Sequence, residues 1–394
     1  MERPAYEEAL AQMLAERTGT RAEDWYLTYR ARHGMLAAFR ALAAVSDSTE
    51  VATQLFTCCT AVDPILAAGL TPVYGEVSDA TCSLDPARLE LSPSTLAVML
   101  QHTFGIVNDA SSIELARVAH GVGALVVEDC AHCVARMARD VDGKPVADFS
   151  VHSFGVEKML STLHGGAVWV NPDSPMAELI SSVRAELEGL PAPEARHERL
   201  NRSYRNTNRV LVHLPAAVSR PLRRALTGIG RFDPAVSEDE RRGLVSHEPV
   251  RATRFACESA LAALRSSGDD IDRRRNVVAA YREQLARVSG IEIPSAVLLG
   301  VPQPLLRFPV VCASTERADE LTHAVCAAGF YTSTWYRPEL GPGVLDEAAY
   351  HVPVDRTRLA VSDRLVACMA NLPCDVSIKD ARRIAAIACE VASS

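Results

Sequence analysis

From residue 32 to residue 172 the chain alternates between segments of helical spacing and short apolar, β-branched runs. Helical spacing covers 35–45, 63–68 and 113–120, and the last two end at Gly69 and Gly121. Strand-like runs fall at 50–56, 72–77, 96–100, 124–128, 149–152 and 167–170. Strands that alternate with helices in this way favour a mostly parallel sheet covered by helices. Ligands of such sheets collect at the carboxyl ends of the strands.

Residues 173–245 break the rhythm. Arg196, Arg199, Arg202, Arg205 and Arg209 recur every three or four positions. A second basic, apolar segment at 210–226 is interrupted by Pro215 and Pro221. These read as helices inserted into a larger domain, at about 190–245. The plain reading is a solvated, salt-bridged face; docking to a partner, an anionic substrate or a membrane surface are the alternatives. Beyond the insertion, 254–264 and 272–288 are helical, 305–311 is strand-like and 318–328 is helical. Residues 356–369 suit a loop then a helix, and 380–391 a closing helix. The expected division is a large domain over 1–265 and a small α+β domain over 266–394.

Composition excludes several classes. With 48% hydrophobic and 23% charged residues the chain is globular rather than disordered. A formal charge of −8 argues against general affinity for nucleic acid. No apolar run reaches the ~18 residues of a membrane span, and the start, MERPAYEEAL, is acidic rather than signal-like. A cytoplasmic protein is expected. The eleven cysteines are odd in number and scattered, as reduced thiols acting as small hydrophobes would be. Cys130-Ala-His-Cys133 has the spacing of a zinc or redox motif, but no second such pair follows, so no metal is expected.

Only three of the 41 basic residues are lysines: Lys144, Lys158 and Lys379. Arginine cannot form an imine or readily lose its proton, whereas an amine does both. Lys144 sits in a turn, Asp-Gly-Lys-Pro, and Lys379 begins the terminal helix, so both read as surface residues. Lys158 does not. It follows the strand-like run Phe149-Ser-Val-His-Ser-Phe-Gly-Val-Glu-Lys158, and the preceding run Val126-Val-Glu-Asp-Cys-Ala-His132 places Asp129 at a strand end. Gly165-Gly166 then opens a third strand. An amine and a carboxylate at adjacent strand ends can hold an aldehyde cofactor as an imine and keep a pyridine nitrogen protonated, as pyridoxal phosphate requires. Taken singly, Asp129 reads as a strand-end cap, Ser153 as a helix cap and His132 as a satisfied polar residue. Their joint order and spacing favour the cofactor.

In these motifs the chain resembles the DegT/StrS-type nucleotide-sugar aminotransferases. The family pattern of Glu-Asp-Ala/Cys-Ala-Gln/His, Ser-Phe-x-x-x-Lys and Gly-Gly is matched by Glu128–His132, Ser153–Lys158 and Gly165-Gly166. Weaker colinear words are Ala68-Gly69-Leu-Thr-Pro-Val-Tyr-Gly-Glu-Val77, His102-Thr-Phe-Gly105, Arg274–Tyr281, Trp335-Tyr336 and Asn371–Cys374. The resemblance implies the aspartate-aminotransferase-like α/β fold (fold type I), with a mostly parallel seven-stranded sheet between helices and a smaller α+β carboxyl-terminal domain. It also implies pyridoxal 5'-phosphate as cofactor and a homodimer. The substrates implied are a keto sugar nucleotide and an amino-acid amine donor such as glutamate, in amino sugar, polysaccharide or antibiotic biosynthesis. Lys158 would form the imine, Asp129 would pair with the pyridine nitrogen, His132 would lie near the ring hydroxyl and Ser153 would hold the phosphate. The family's phosphate-binding Gly-Thr step at a helix start matches Gly34-Met35, which lacks the hydroxyl, and Cys58 stands where the family stacks an aromatic ring. The partner-subunit asparagine motif is not clear around Ser246-His247-Glu248. A dehydratase or lyase using the same cofactor, or a non-catalytic regulatory or scaffold relative, are the alternatives.

Overall fold

The computed structural model describes residues 3–160 and 162–393. Seven strands make the main sheet: β1 (Trp25–Thr28), β2 (Glu50–Thr53), β3 (Thr71–Tyr74), β4 (Thr95–Gln101), β5 (Leu125–Asp129), β6 (Phe149–Ser153) and β7 (Gly166–Val170). Their order is β1-β7-β6-β5-β4-β2-β3. The pairs from β3 to β6 are parallel, and β7 runs antiparallel to both its neighbours. This is the mostly parallel sheet that the alternation implied.

Central β4 and β5 are buried along their whole length, as strands covered on both faces must be. Alternation along β5 divides two cores. Leu125 and Val127 join Phe39, Leu42 and Met99 beneath the helix Ala31–Val45. Val126 turns the other way, to Leu115 and Ala119 of the helix Asp109–Gly121. Two glycines seat the Ala31–Val45 helix on β7. A Cβ on Gly166 would stand 2.3 Å from the Ala31 nitrogen, and one on Gly34 would stand 2.4 Å from Val168 Cγ2.

A second, antiparallel sheet has the order β10-β9-β8, formed by β8 (Ile291–Glu292), β9 (Arg307–Cys312) and β10 (Met369–Pro373). The helices Gly268–Leu285, Thr315–Ala327 and Ile378–Ser393 pack on it through Val277, Tyr281, Leu321, Ile384 and Ala388. The helix expected up to residue 369 ends at Cys368 and runs straight into β10, an edge strand where Pro373 is tolerated. The inserted segment forms two helices, Ala195–His213 and Ala216–Gly228. Pro215 separates them, whereas Pro221 lies inside the second helix rather than breaking it.

All eleven cysteines are free. Cys130 and Cys133 are buried beside Leu14, Trp25 and Phe154, and both thiols donate to the Arg136 carbonyl, at 3.2 and 3.5 Å. His102 comes within 4.8 Å of them, with its Nε2 held at 2.7 Å from Glu128. Among the described residues no helix is long and apolar enough to cross a membrane.

Candidate active site

A cavity of about 580 Å³ opens at the carboxyl ends of β5 and β6. Strand alternation decides which of two adjacent carboxylates reaches it. Glu128 points into the core, where His102, the Ala138 amide at 2.6 Å and the Ser150 hydroxyl bind its carboxylate. Asp129 points into the cavity, and its Oδ1 accepts from the Ala131 amide at 2.8 Å. Burial raises the Asp129 pKa, opposed by that hydrogen bond and by the charge of Lys158.

Ser153 ends β6 on the cavity wall, its Oγ accepting from the Gly155 amide at 3.3 Å. The loop that follows carries Lys158 into the same cavity. Burial lowers the Lys158 pKa, while Cys58 and Asp129 pull it back up. The amine has no hydrogen bond or ion pair among the described residues; its Nζ lies 5.9 Å from the centre of the Trp335 ring. His132 Nδ1 accepts from the Phe104 amide at 3.1 Å, so Nε2 carries the proton and faces the Tyr336 hydroxyl at 3.2 Å. Burial holds this imidazole neutral, far below its ordinary pKa. It stacks on Trp335 with ring centres 5.4 Å apart.

Cys58 precedes the helix Cys59–Ala67 and also lines the cavity, with Sγ 3.1 Å from Thr60 Oγ1. A hydrogen bond from the Cys59 thiol lowers the Cys58 pKa against burial, and the Lys158 charge adds to it. The aromatic surface near Lys158 comes instead from Trp335 and Tyr336. Lys144 lies in an exposed turn, and Lys379 is the second residue of the terminal helix.

One expected position needs correction. Gly34-Met35 is not a helix start: the helix begins at Ala31, and Gly34 is consumed by the contact with Val168. Met35 reaches the cavity from the side, while Arg30, Ala31 and Arg32 form the turn that faces it. Neither arginine was singled out by the sequence. Arg30 pairs with Asp233 at 2.6 Å, and Arg32 pairs with Glu240 and donates to the Ala235 carbonyl at 2.7 Å. Asp233 also accepts from the Tyr29 hydroxyl at 2.9 Å. In an arginine-rich chain nothing local marks these two, and their partners lie some 200 residues away.

The residues present fit a phosphorylated aldehyde. The helix start has no side-chain cap, faces the cavity with Ser153, and makes a ready anion site. Lys158 offers an amine, and Asp129 a carboxylate. His164 Nε2 and Ser333 Oγ, on lining residues, are buried without a partner among the described residues, as groups awaiting a polar ligand would be.

Residues 6–220, more than half the chain, match the sequence profile of the DegT/DnrJ/EryC1/StrS aminotransferase family. The chain belongs to that family. Among its curated relatives, the spore coat polysaccharide biosynthesis protein SpsC of Bacillus subtilis (strain 168) is 32% identical over 138 residues, 34% of this chain and 35% of that protein. The GDP-perosamine synthase of Caulobacter vibrioides is 30% identical over 137 residues, 34% of this chain and 36% of that protein. The matches thus span about a third of these relatives. Among solved structures, the putative sugar aminotransferase Spr1654 from Streptococcus pneumoniae, in its PMP form, superposes with a TM-score of 0.71 at 18% identity. That likeness covers 99% of this chain and 92% of the other, and it establishes the fold of the DegT-family member described above.

Proposed function

We propose that the chain is a pyridoxal-phosphate-dependent aminotransferase that moves an amino group from an amino acid such as glutamate to a keto sugar nucleotide. The observation that carries this reading is the half-buried Lys158 amine, without hydrogen bond or ion pair among the described residues, sharing one cavity with the Asp129 carboxylate at the strand ends. Family membership and the sugar-nucleotide name of one relative, a GDP-perosamine synthase, support the substrate class. The cofactor, when bound, supplies an aldehyde and a ring that withdraws electrons from the carbon bearing the amine.

Each residue then has a part. Lys158 holds the aldehyde through Nζ and, being lowered in pKa by burial, gives and takes a proton there. Asp129 keeps the ring nitrogen protonated through its opposite charge. Ser153 and the amides at the start of the Ala31–Val45 helix hold the phosphate. Neutral His132, fixed by Phe104 and Tyr336, bounds the cavity. Residues 1–265 form the cofactor-binding unit and 266–394 the smaller one, and the protein works as a homodimer in the cytoplasm.

The test is reconstitution with pyridoxal phosphate, borohydride reduction and peptide mapping. The label is expected on the peptide containing Lys158 and absent from Lys158→Ala. A label on Lys144 or Lys379, or none on the wild-type chain, refutes the assignment.

A further inference from the structure

The inserted helices Ala195–His213 and Ala216–Gly228 form a hairpin with two unlike sides. Its inner side lies over the loop that carries Lys158: Tyr204, Leu211 and Phe232 pack with Val156, Leu163 and Leu226. Tyr204 itself lines the cavity. The outer side presents apolar surface to solvent. Val218, Leu222, Ala225 and Ile229 recur at intervals of four, three and four, so they form one stripe along the second helix and just past its end. All four are exposed, Val218 by 50% and Ile229 by 67%. Val210 and Val212, at the end of the first helix, are 61% and 62% exposed.

Charge is just as uneven. Residues 195–231 hold nine arginines and one acid, Glu198, in a chain whose formal net charge is −8. Arg220 and Arg224 lie on the face of the second helix opposite the apolar stripe. Arg224 pairs with Glu238, but Arg199, Arg209, Arg220 and Arg231 are exposed and have no carboxylate partner among the described residues. A merely solvated face would not carry the stripe, and a salt-bridged one would match its arginines with acids. A helix with one apolar face and a basic opposite face binds where acyl chains meet negatively charged headgroups.

We propose that the outer side of this hairpin, through the Val218–Leu222–Ala225–Ile229 stripe and its arginines, docks the protein on an anionic membrane surface. The chain lies on the bilayer without crossing it. The inner side of the same hairpin walls the cavity, so docking sets the Lys158 loop one helix away from the membrane.

The test is co-sedimentation of the full chain with vesicles of phosphatidylcholine alone, or mixed with phosphatidylglycerol. Binding to the mixed vesicles only, weakened by salt, is expected. Two double variants, Val218→Asp with Leu222→Asp and Arg220→Glu with Arg231→Glu, alter exposed side chains outside the cavity. Each should lower the vesicle-bound fraction by about tenfold or more while leaving the circular dichroism spectrum and the borohydride labelling of Lys158 unchanged. Three results would overturn the proposal. One is no binding to the mixed vesicles. Another is binding untouched by the aspartate pair, which would mean charge alone. The third is conversion of a dimer to a monomer by that pair, which would assign the stripe to a second copy of the chain.

Discussion

Gly166→Ala tests how the cavity is assembled. The added methyl would stand 2.3 Å from Ala31 N, 2.5 Å from Ala31 Cα and 2.8 Å from the Arg30 carbonyl carbon. Unstrained contacts between such atoms need roughly 3.5 Å, so the start of the Ala31–Val45 helix must withdraw by about 1 Å. All three atoms are backbone, so no rotamer change relieves the clash. Overpacking of this kind costs about 1–3 kcal/mol. Alanine's stiffer unfolded chain returns about 0.4–1 kcal/mol, for a net loss of about 1–2 kcal/mol. If the withdrawal also parts Arg30 from Asp233, the loss grows by about 3 kcal/mol. Urea denaturation of three proteins reads the difference: wild type, Gly166→Ala and Gly189→Ala. Gly189 is the exposed last residue of the helix Ala177–Gly189, and a Cβ there would meet nothing within 4 Å, so its alanine variant should be neutral or slightly stabilised. Gly166→Ala should also bind pyridoxal phosphate more weakly, because the turn facing the cavity is the part displaced. Equal denaturation midpoints for the two variants, with unchanged cofactor binding, would refute the reasoning.

Three further outcomes are expected. Asp129→Asn keeps the shape but removes the charge; pyridoxal phosphate should still bind, while single-turnover reaction with the amine donor slows by about 10²-fold, or about 2.7 kcal/mol. Asp233→Asn removes the charge opposite the largely buried Arg30, which keeps only the Asp233, Pro234 and Ala235 carbonyls as partners, and should destabilise the chain by about 3 kcal/mol at pH 7 in urea unfolding. In the folded chain Arg30 and His247 hold the Asp233 carboxyl far below the usual carboxylate range, despite the opposing effect of burial. Its contribution is therefore present above the unfolded value near ~4 and lost as pH falls below it, and the variant should lack that acid-sensitive part. Cys58, lowered by the Cys59 hydrogen bond and by Lys158, should react with iodoacetamide at pH 7 faster than an ordinary thiol, and added pyridoxal phosphate should protect it, as peptide mapping would read.

The part of the site written in short motifs at strand ends was legible: Asp129 and Ser153 close apolar, β-branched runs that read as buried strands, and Lys158 follows the second. What failed was set by distant partners. The start of the Ala31–Val45 helix carries Arg30 and Arg32, cations that its positive end disfavours, and then His33, which burial and those arginines keep neutral, so the apolar pattern opens only at Met35. Asp233 and Glu240 offset that penalty, and nothing in the local sequence pairs them with it. Likewise β1 is four residues long and exists through its pairing with β7, and β10 through its pairing with β9. The hairpin's helices were legible from their arginine spacing, but the exposure of Val218 and Ile229 depends on which face the fold covers.

The ion pairs from Arg30 to Asp233 and from Arg32 to Glu240 also impose an order in time. A chain made from its amino end has every strand of the main sheet in hand by residue 170, yet the two arginines at the mouth of the cavity stay unmatched until about 70 more residues have emerged. Until then the nascent protein carries an open, positively charged cradle. The segment that completes it is the one that brings the basic hairpin, so the cradle closes only after the hairpin has been made.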